Sequence, residues 1–289
     1  MNMIKKALSI AGIKIGVESE VDFTFSDRCI PFTEEVEQED VVFRIRKTKS
    51  WDLDGYSVLS EAKKTKLLCK GNEEVKVKYS DENKKEVSWY MTEENGTPFL
   101  YNVYVLEEKV LKFFNPLIFV DLSEFLIHFE AMVLHSSLIN YQGHGIVFTA
   151  PSGTGKSTQA DLWRDNLGAK ILNGDRSIIR KENLYYAYGS PYSGSSHIYE
   201  NESVPLKAIV VLRQAKENRL RKMSMKEAYL CLLSEMSISS GKKEIIEKQS
   251  QWLLEMLQKI PVYMLECLPN QGAAEILYDE LKEKFHEGQ

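Results

Sequence analysis

Residues 145–158 read Gly-Ile-Val-Phe-Thr-Ala-Pro-Ser-Gly-Thr-Gly-Lys-Ser-Thr, and they constrain the fold more than any other stretch of the chain. The apolar run Ile146 to Phe148 predicts a buried strand, and a Gly-rich turn follows it. From Ser157, Ala160, Trp163 and Leu167 recur at helical spacing, and Gly168 is placed to stop the helix with a left-handed cap. A strand, a glycine loop and a helix in this order form an anion site. Gly153 and Gly155 let the backbone curl so that successive N–H groups point inward, and the helix beginning near Lys156 adds its unpaired donors and positive dipole end. Ser152, Gly153, Thr154, Gly155, Lys156, Ser157 and Thr158 are therefore the candidate phosphate-binding residues. In G-x-x-x-x-G-K-[ST] loops the lysine reaches the β- and γ-phosphates and the following hydroxyl, here Ser157, is a Mg²⁺ ligand. The first position of that pattern is Ala150 here, a departure that affects the turn and not the phosphate contacts.

The rest of the composition narrows the function classes. A chain of 289 residues with 43% hydrophobic and 27% charged residues fits a soluble globular protein of one large domain or two modest ones. Its formal net charge of −5 gives no electrostatic footprint for nucleic acid, so any phosphate binding must be local. Cys29, Cys69, Cys231 and Cys267 are far apart with no C-x-x-C pair, which points to reduced thiols in a cytoplasmic protein and away from a zinc site. No apolar run is long enough to span a membrane, and the first residues do not read as a signal peptide.

Along the chain, residues 1–120 are expected to form a β-rich N-terminal domain. Strand-like segments fall at Ile13–Val17, Val41–Arg46, Glu74–Tyr79, Val87–Met91, Tyr101–Leu106 and Val110–Phe114. The lysine-rich stretch from Lys63 to Lys85 reads as a solvated edge. Residues 121–289 are expected to form an α/β nucleotide-binding domain. In it, 122–134 reads as an amphipathic helix with Phe125, Phe129, Met132 and Val133 on one face. His135–Tyr141 then form a hairpin with the strand that enters the loop. Further strands are expected at 170–172, 177–179, 184–188, 206–212 and 262–265. Helices are expected at 224–236, where Ser224-Met-Lys-Glu227 is a capping box, near 245–257, and at 273–285.

Taken in order, these motifs resemble a known family. Leu134-His-Ser-Ser-Leu-Ile139, the loop segment 145–158 and Leu172-Asn-Gly-Asp-Arg-Ser-Ile-Ile179 are similar to the catalytic domain of HPr kinase/phosphorylase and to shorter bacterial HPr-kinase-like proteins. Gly189-Ser-Pro-Tyr-Ser-Gly194, Pro205-Leu-Lys-Ala-Ile-Val-Val-Leu212 and Pro261-Val-Tyr-Met-Leu-Glu266 continue the likeness, which covers roughly 122–285. The resemblance implies a phosphoenolpyruvate carboxykinase-like P-loop fold. It also implies an ATP- and Mg²⁺-dependent transfer of a phosphoryl group to a hydroxyl, often serine, of a peptide, protein or small molecule, and it makes a homo-oligomer an expectation.

The resemblance also assigns roles. Asp175 is the candidate Mg²⁺ ligand or base, and the alternative is a turn residue between Gly174 and Arg176. His135 matches an active-site histidine of HPr kinase and is a candidate proton relay; the alternative is a histidine at the start of a strand. Arg176 is a candidate phosphate contact or a surface arginine. The loop Ser190–Ser193 is either a plain turn or a seat for the acceptor or base. His197, just past it, is a candidate replacement base, whereas His128 and His144 read as structural. The family carries two adjacent aspartates where this chain has Gly174-Asp175, and its downstream glycine-rich signature is absent, so the reverse phosphorylase reaction is not implied. A catalytically reduced, nucleotide-binding regulatory module therefore stands as the alternative function. A common P-loop GTPase or ATPase switch ranks last, since no N-K-x-D-like motif is present.

Overall fold

The structure is a computed structural model that describes residues 3–20, 22–62, 64–94, 96, 98–106, 122–237 and 242–285. It is a mixed α/β protein with two sheets. The chain divides into two compact units, Met1–Asp121 with Ser239–Lys243, and Leu122–Ile238 with Glu244–Gln289.

The first unit holds, among the described residues, strands β1 (Ile4–Ile10), β2 (Ile13–Ser19), β3 (Val41–Thr48), β4 (Ser57–Ala62), β5 (Thr65–Lys70), β6 (Glu73–Tyr79), β7 (Val87–Glu94) and β8 (Phe99–Leu106). They form one sheet in the order β1-β2-β3-β8-β7-β6-β5-β4. Ala11 and Gly12 both take positive φ, 52° and 71°, the tight two-residue turn that matches the twist of a hairpin. Alternating side chains of β2, β3 and β8, among them Ile15, Val17, Phe43, Ile45 and Val103, are buried. The lysine-rich stretch is not itself the edge. Leu67 and Leu68 are buried in β5, and β4 is the outer strand. The strand expected at Val110–Phe114 lies outside the described residues.

The second unit holds α1 (Leu122–Phe125), β9 (Ala131–Tyr141), β10 (His144–Thr149), α2 (Lys156–Leu167), β11 (Lys170–Asn173), β12 (Arg176–Lys181) and β13 (Tyr185–Tyr188). It continues with β14 (Ser203–Gln214), β15 (Arg219–Lys222), α3 (Met225–Glu235), α4 (Lys243–Lys259), β16 (Val262–Cys267) and α5 (Gln271–Leu281). The sheet runs β10-β9-β12-β13-β14-β16-β15, with β11 also paired to β9. β10, β14 and β16 lie parallel to one another, and β10 pairs with β14 as well as with β9. The strands β10, β9, β12, β13 and β14 thereby close into a ring.

Alternation in the parallel strands sorts side chains onto two helix layers. Val147, Ile209, Val211 and Met264 pack with Leu232 of α3 and Trp252, Leu253 and Met256 of α4. Ile146, Phe148, Val210 and Leu265 pack with Trp163 of α2 and Leu277 of α5. Burying each of these large apolar side chains contributes about 1.5–3 kcal/mol, so both faces of the sheet are strongly specified.

The helix expected over 122–134 is cut short. α1 is followed by a 3₁₀ turn, Leu126–Phe129, and Glu130 takes the left-handed conformation at φ 55° with its N–H bonded back to the Ile127 and Leu126 carbonyls. From Ala131 the backbone pairs antiparallel with β12, Val133 facing Ile178 and His135 facing Arg176. Met132 and Val133, read as one helical face, point to opposite sides of a strand. β15, which the sequence reading missed, pairs with β16 as an edge whose Arg219, Arg221 and Lys222 are exposed while Leu220 packs inward.

Candidate functional site

The glycine loop sits at the carboxyl end of the parallel strands, the usual ligand-binding end of such sheets. β10 enters it at Thr149 and α2 leaves it at Lys156. Gly153 has φ 79° and Gly155, the helix N-cap, φ 121°, values that a residue with a Cβ rarely adopts. A Cβ at either glycine would meet no atom within 4 Å, so the loop surface there is open. No acidic residue occupies the first turn of α2, which leaves its positive end uncompensated. Gln214 at the end of β14 donates to the Gly153 carbonyl at 3.3 Å, bracing the loop from outside. Ser152, Ser157 and Thr158 are exposed, and Thr154 is half-buried. The Lys156 side chain folds back instead, and its Nζ donates to the Ala150 carbonyl at 2.8 Å. Burial pulls this ammonium below the usual lysine range, against the opposing charges of Glu235 and Asp175.

Asp175 reaches the site through the turn between β11 and β12. Asn173 builds that turn. Its fully buried side-chain oxygen accepts from the N–H groups of Asp175 (2.9 Å) and Arg176 (2.7 Å), while its amide donates to the carbonyls of Ser190 and Tyr192. The Ser136 N–H donates to the Asp175 carbonyl at 2.8 Å. The backbone of Asp175 is thus committed, and its carboxylate remains partly exposed with His135 Nε2 at 3.7 Å and Arg176 Nε at 3.6 Å. Arg176 is half-exposed, its guanidinium 5.7 Å from the Tyr192 ring centre.

His135 lies on β9, held by a bond from the Thr149 hydroxyl to its carbonyl at 2.9 Å. Its Nδ1 is 2.9 Å from Glu235 Oε2. Sequence reasoning missed Glu235, which stands one hundred residues downstream with no motif around it. It is the last residue of α3, and the chain just past it is stitched to β9 by the Leu134–Met236 bridge and by the Ser237 N–H on the Val133 carbonyl. A cavity of about 590 Å³ adjoins this point, bounded by Pro151, Gly153, Gln214, Cys231, Ser234 and Glu235.

The structure therefore gathers Lys156, Asp175 and His135, with Glu235 added. It does not gather His197, which is exposed at φ 54° and makes no hydrogen bond or ion pair with that cluster among the described residues. Ser190 is buried, with its hydroxyl donating to the Arg176 carbonyl at 2.5 Å, so it pins the turn. Gly174 has no room for a side chain. A Cβ there would come within 2.5 Å of the Ser196 Cβ and overlap its hydroxyl.

Among the described residues no group of three or more His, Cys, Asp or Glu forms a metal cage. Ser157 and Asp175 are hard oxygen donors that suit Mg²⁺, an ion that takes one or two protein ligands and completes its shell with water and substrate phosphates. No helix among the described residues is long and apolar enough to cross a membrane.

The family described as SynChlorMet cassette protein ScmC matches residues 118–270. No curated protein matches the chain. Among solved structures, the Hpr(Ser) kinase/phosphatase from Coxiella burnetii is similar at 12% identity, over 53% of this chain and 98% of that one, with a TM-score of 0.31.

Proposed function

We propose that this chain, which belongs to the family of SynChlorMet cassette protein ScmC, is an ATP-dependent kinase that transfers a phosphoryl group to a hydroxyl, serine foremost, of a peptide, protein or small molecule. The observation that carries the reading is a glycine loop at the start of α2 whose entering strand is bonded to His135 through Thr149, with the Asp175 carboxylate 3.7 Å from that histidine. Phosphoryl transfer asks a protein for a clamped triphosphate, neutralised charge and a positioned nucleophile. The loop amides and Lys156 bind the phosphates, and the half-exposed Arg176 beside Asp175 adds a second cation. Mg²⁺ held by Ser157 and Asp175 would supply charge neutralisation. His135 takes the proton of the attacking hydroxyl, whose oxygen bonds to the γ-phosphorus as ADP departs.

Gly174 favours a second reading, a nucleotide-binding regulatory module with reduced catalysis, because one acidic side chain of the HPr kinase pattern is missing there. Calorimetric titration with ATP and Mg²⁺, followed by transfer from labelled ATP to candidate acceptors, separates the two. Metal-dependent binding with transfer supports the kinase. Binding without transfer to any acceptor supports the module, and no binding removes both.

A further inference from the structure

Glu235 bonds to the His135 ring and lines the cavity beside the glycine loop. We propose that Glu235 is a positioning residue for His135: it accepts the Nδ1 proton of the imidazole and leaves the lone pair on Nε2, the nitrogen nearest Asp175. The consequence for catalysis rests on the kinase reading, but the geometry does not.

The contact between Nδ1 and Glu235 Oε2 is a full hydrogen bond at 2.9 Å, whereas Nε2 and Asp175 Oδ1 stand 3.7 Å apart, beyond bonding distance. A carboxylate has no proton to give, so Nδ1 must be the donor. The ring tautomer with its proton on Nδ1 has its lone pair on Nε2, which makes Nε2 the acceptor. The pair is held from both sides. α3 begins at the Ser224–Glu227 capping box and ends on Glu235, and Met236 and Ser237 bond to the two residues that precede His135. Glu235 is 13% exposed, so little water competes for its oxygens.

This arrangement divides the labour between the two groups near the acceptor. A carboxylate bound to a cation is a weak base, so Asp175 cannot serve well as both metal ligand and base. With its lone pair fixed on Nε2, His135 can accept the proton of a hydroxyl lying between it and Asp175. Glu235 then faces the imidazolium that forms, the role of the carboxylate in an acid–histidine pair. The O–H proton goes to Nε2, the acceptor oxygen bonds to phosphorus, the bond from phosphorus to the bridging oxygen of ADP breaks, and the proton is released to solvent afterwards.

Nitrogen NMR of the full chain labelled in its histidines tests the idea without nucleotide, the His135 signals being identified by their loss in His135→Asn. The wild-type protein is expected to show a protonated Nδ1 and an unprotonated Nε2, and Glu235→Leu, which offers the ring no acceptor, to lose that pattern. A proton on Nε2 in the wild type, on a neutral or a doubly protonated ring, overturns the proposal, and so does an unchanged pattern in Glu235→Leu. With an acceptor in hand, Glu235→Gln should lower kcat by about 10²–10⁴-fold, with Glu235→Asp recovering part of the loss. The KM for ATP should stay within about twofold. A loss confined to ATP binding would place Glu235 on the nucleotide instead and overturn the positioning role. If the expected NMR pattern is found in a protein that transfers no phosphoryl group, the kinase reading fails and the Glu235–His135 assignment stands.

Discussion

The Lys156 ammonium donates to the carbonyl of Ala150 at 2.8 Å, so the residue that closes the glycine loop is tied to the residue that opens it. The residue is only 7% exposed, and the carbonyl offsets part of what burying its charge costs. A phosphate arriving in the loop offers the same ammonium a charged acceptor in place of a neutral one. Hydrogen bonds to charged groups contribute about 1.5–3 kcal/mol, so Lys156→Ala should weaken ATP binding roughly 10–100-fold by calorimetry. Unchanged affinity would mean that the loop is not the phosphate site.

Asp175 separates backbone work from side-chain work. Its N–H and carbonyl are bonded to Asn173 and Ser136, while its carboxylate has, among the described residues, the longer ion-pair approaches of His135 and Arg176. Asp175→Asn should therefore melt like the wild type and lose transfer by about 10²-fold or more, the usual scale for acid–base and electrostatic groups. Near-normal transfer at an unchanged melting temperature would leave Asp175 a turn residue.

The parts of this site legible in the sequence are those whose chemistry is local. The loop glycines, Lys156 and the strand before them announce themselves because φ values of 79° and 121° require glycine and a buried strand requires an apolar run. Asp175 and His135 are legible only through resemblance, since nothing in their spacing shows that β9 and β12 pair with His135 facing Arg176. Glu235 was invisible because only the docking of α3 onto β9 brings it there. The misread helix over 122–134 has the same cause. Phe125, Phe129, Met132 and Val133 fit a helical face over a short run, and the decision falls to the left-handed Glu130 and to pairing with a strand more than forty residues away, as the 41-residue separation of the bonded Ser136 and Ser177 hydroxyls measures.

Gly174 explains why a side chain at that position is excluded. Ser196 fills the space, its hydroxyl donating to the Ser193 carbonyl at 2.8 Å and accepting from the Ile198 N–H at 3.4 Å. Gly174→Ala should destabilise the protein by about 1–3 kcal/mol through overpacking, and Ser196→Gly in the same chain should restore most of that loss. Gly174→Asp should be tolerated only in the Ser196→Gly background. Urea unfolding of the wild type and these variants checks this, and a Gly174→Ala chain as stable as the wild type would mean that the 193–198 turn moves aside freely.

The helix that delivers Glu235 is anchored at its other end by charge. Glu227 accepts from the Ser224 N–H at 3.1 Å and pairs with Arg221 at 3.0 Å, and these contacts, the Arg221 guanidinium first, pull its carboxyl down to about 2. The folded state thus holds this group ionised where the unfolded chain, with an ordinary value near 4.5, would bind a proton. A carboxyl depressed on folding contributes stability that is full above the unfolded value and is lost as pH falls toward the folded one. Glu227→Gln should therefore melt below the wild type at pH 7, and the gap should narrow from about pH 4.5 downward and close near pH 2. Comparing the two proteins at each pH cancels the titration of every other carboxyl. A gap that stays constant from pH 7 to pH 2.5 would show that Glu227 acts through the shape of its cap and not through its charge.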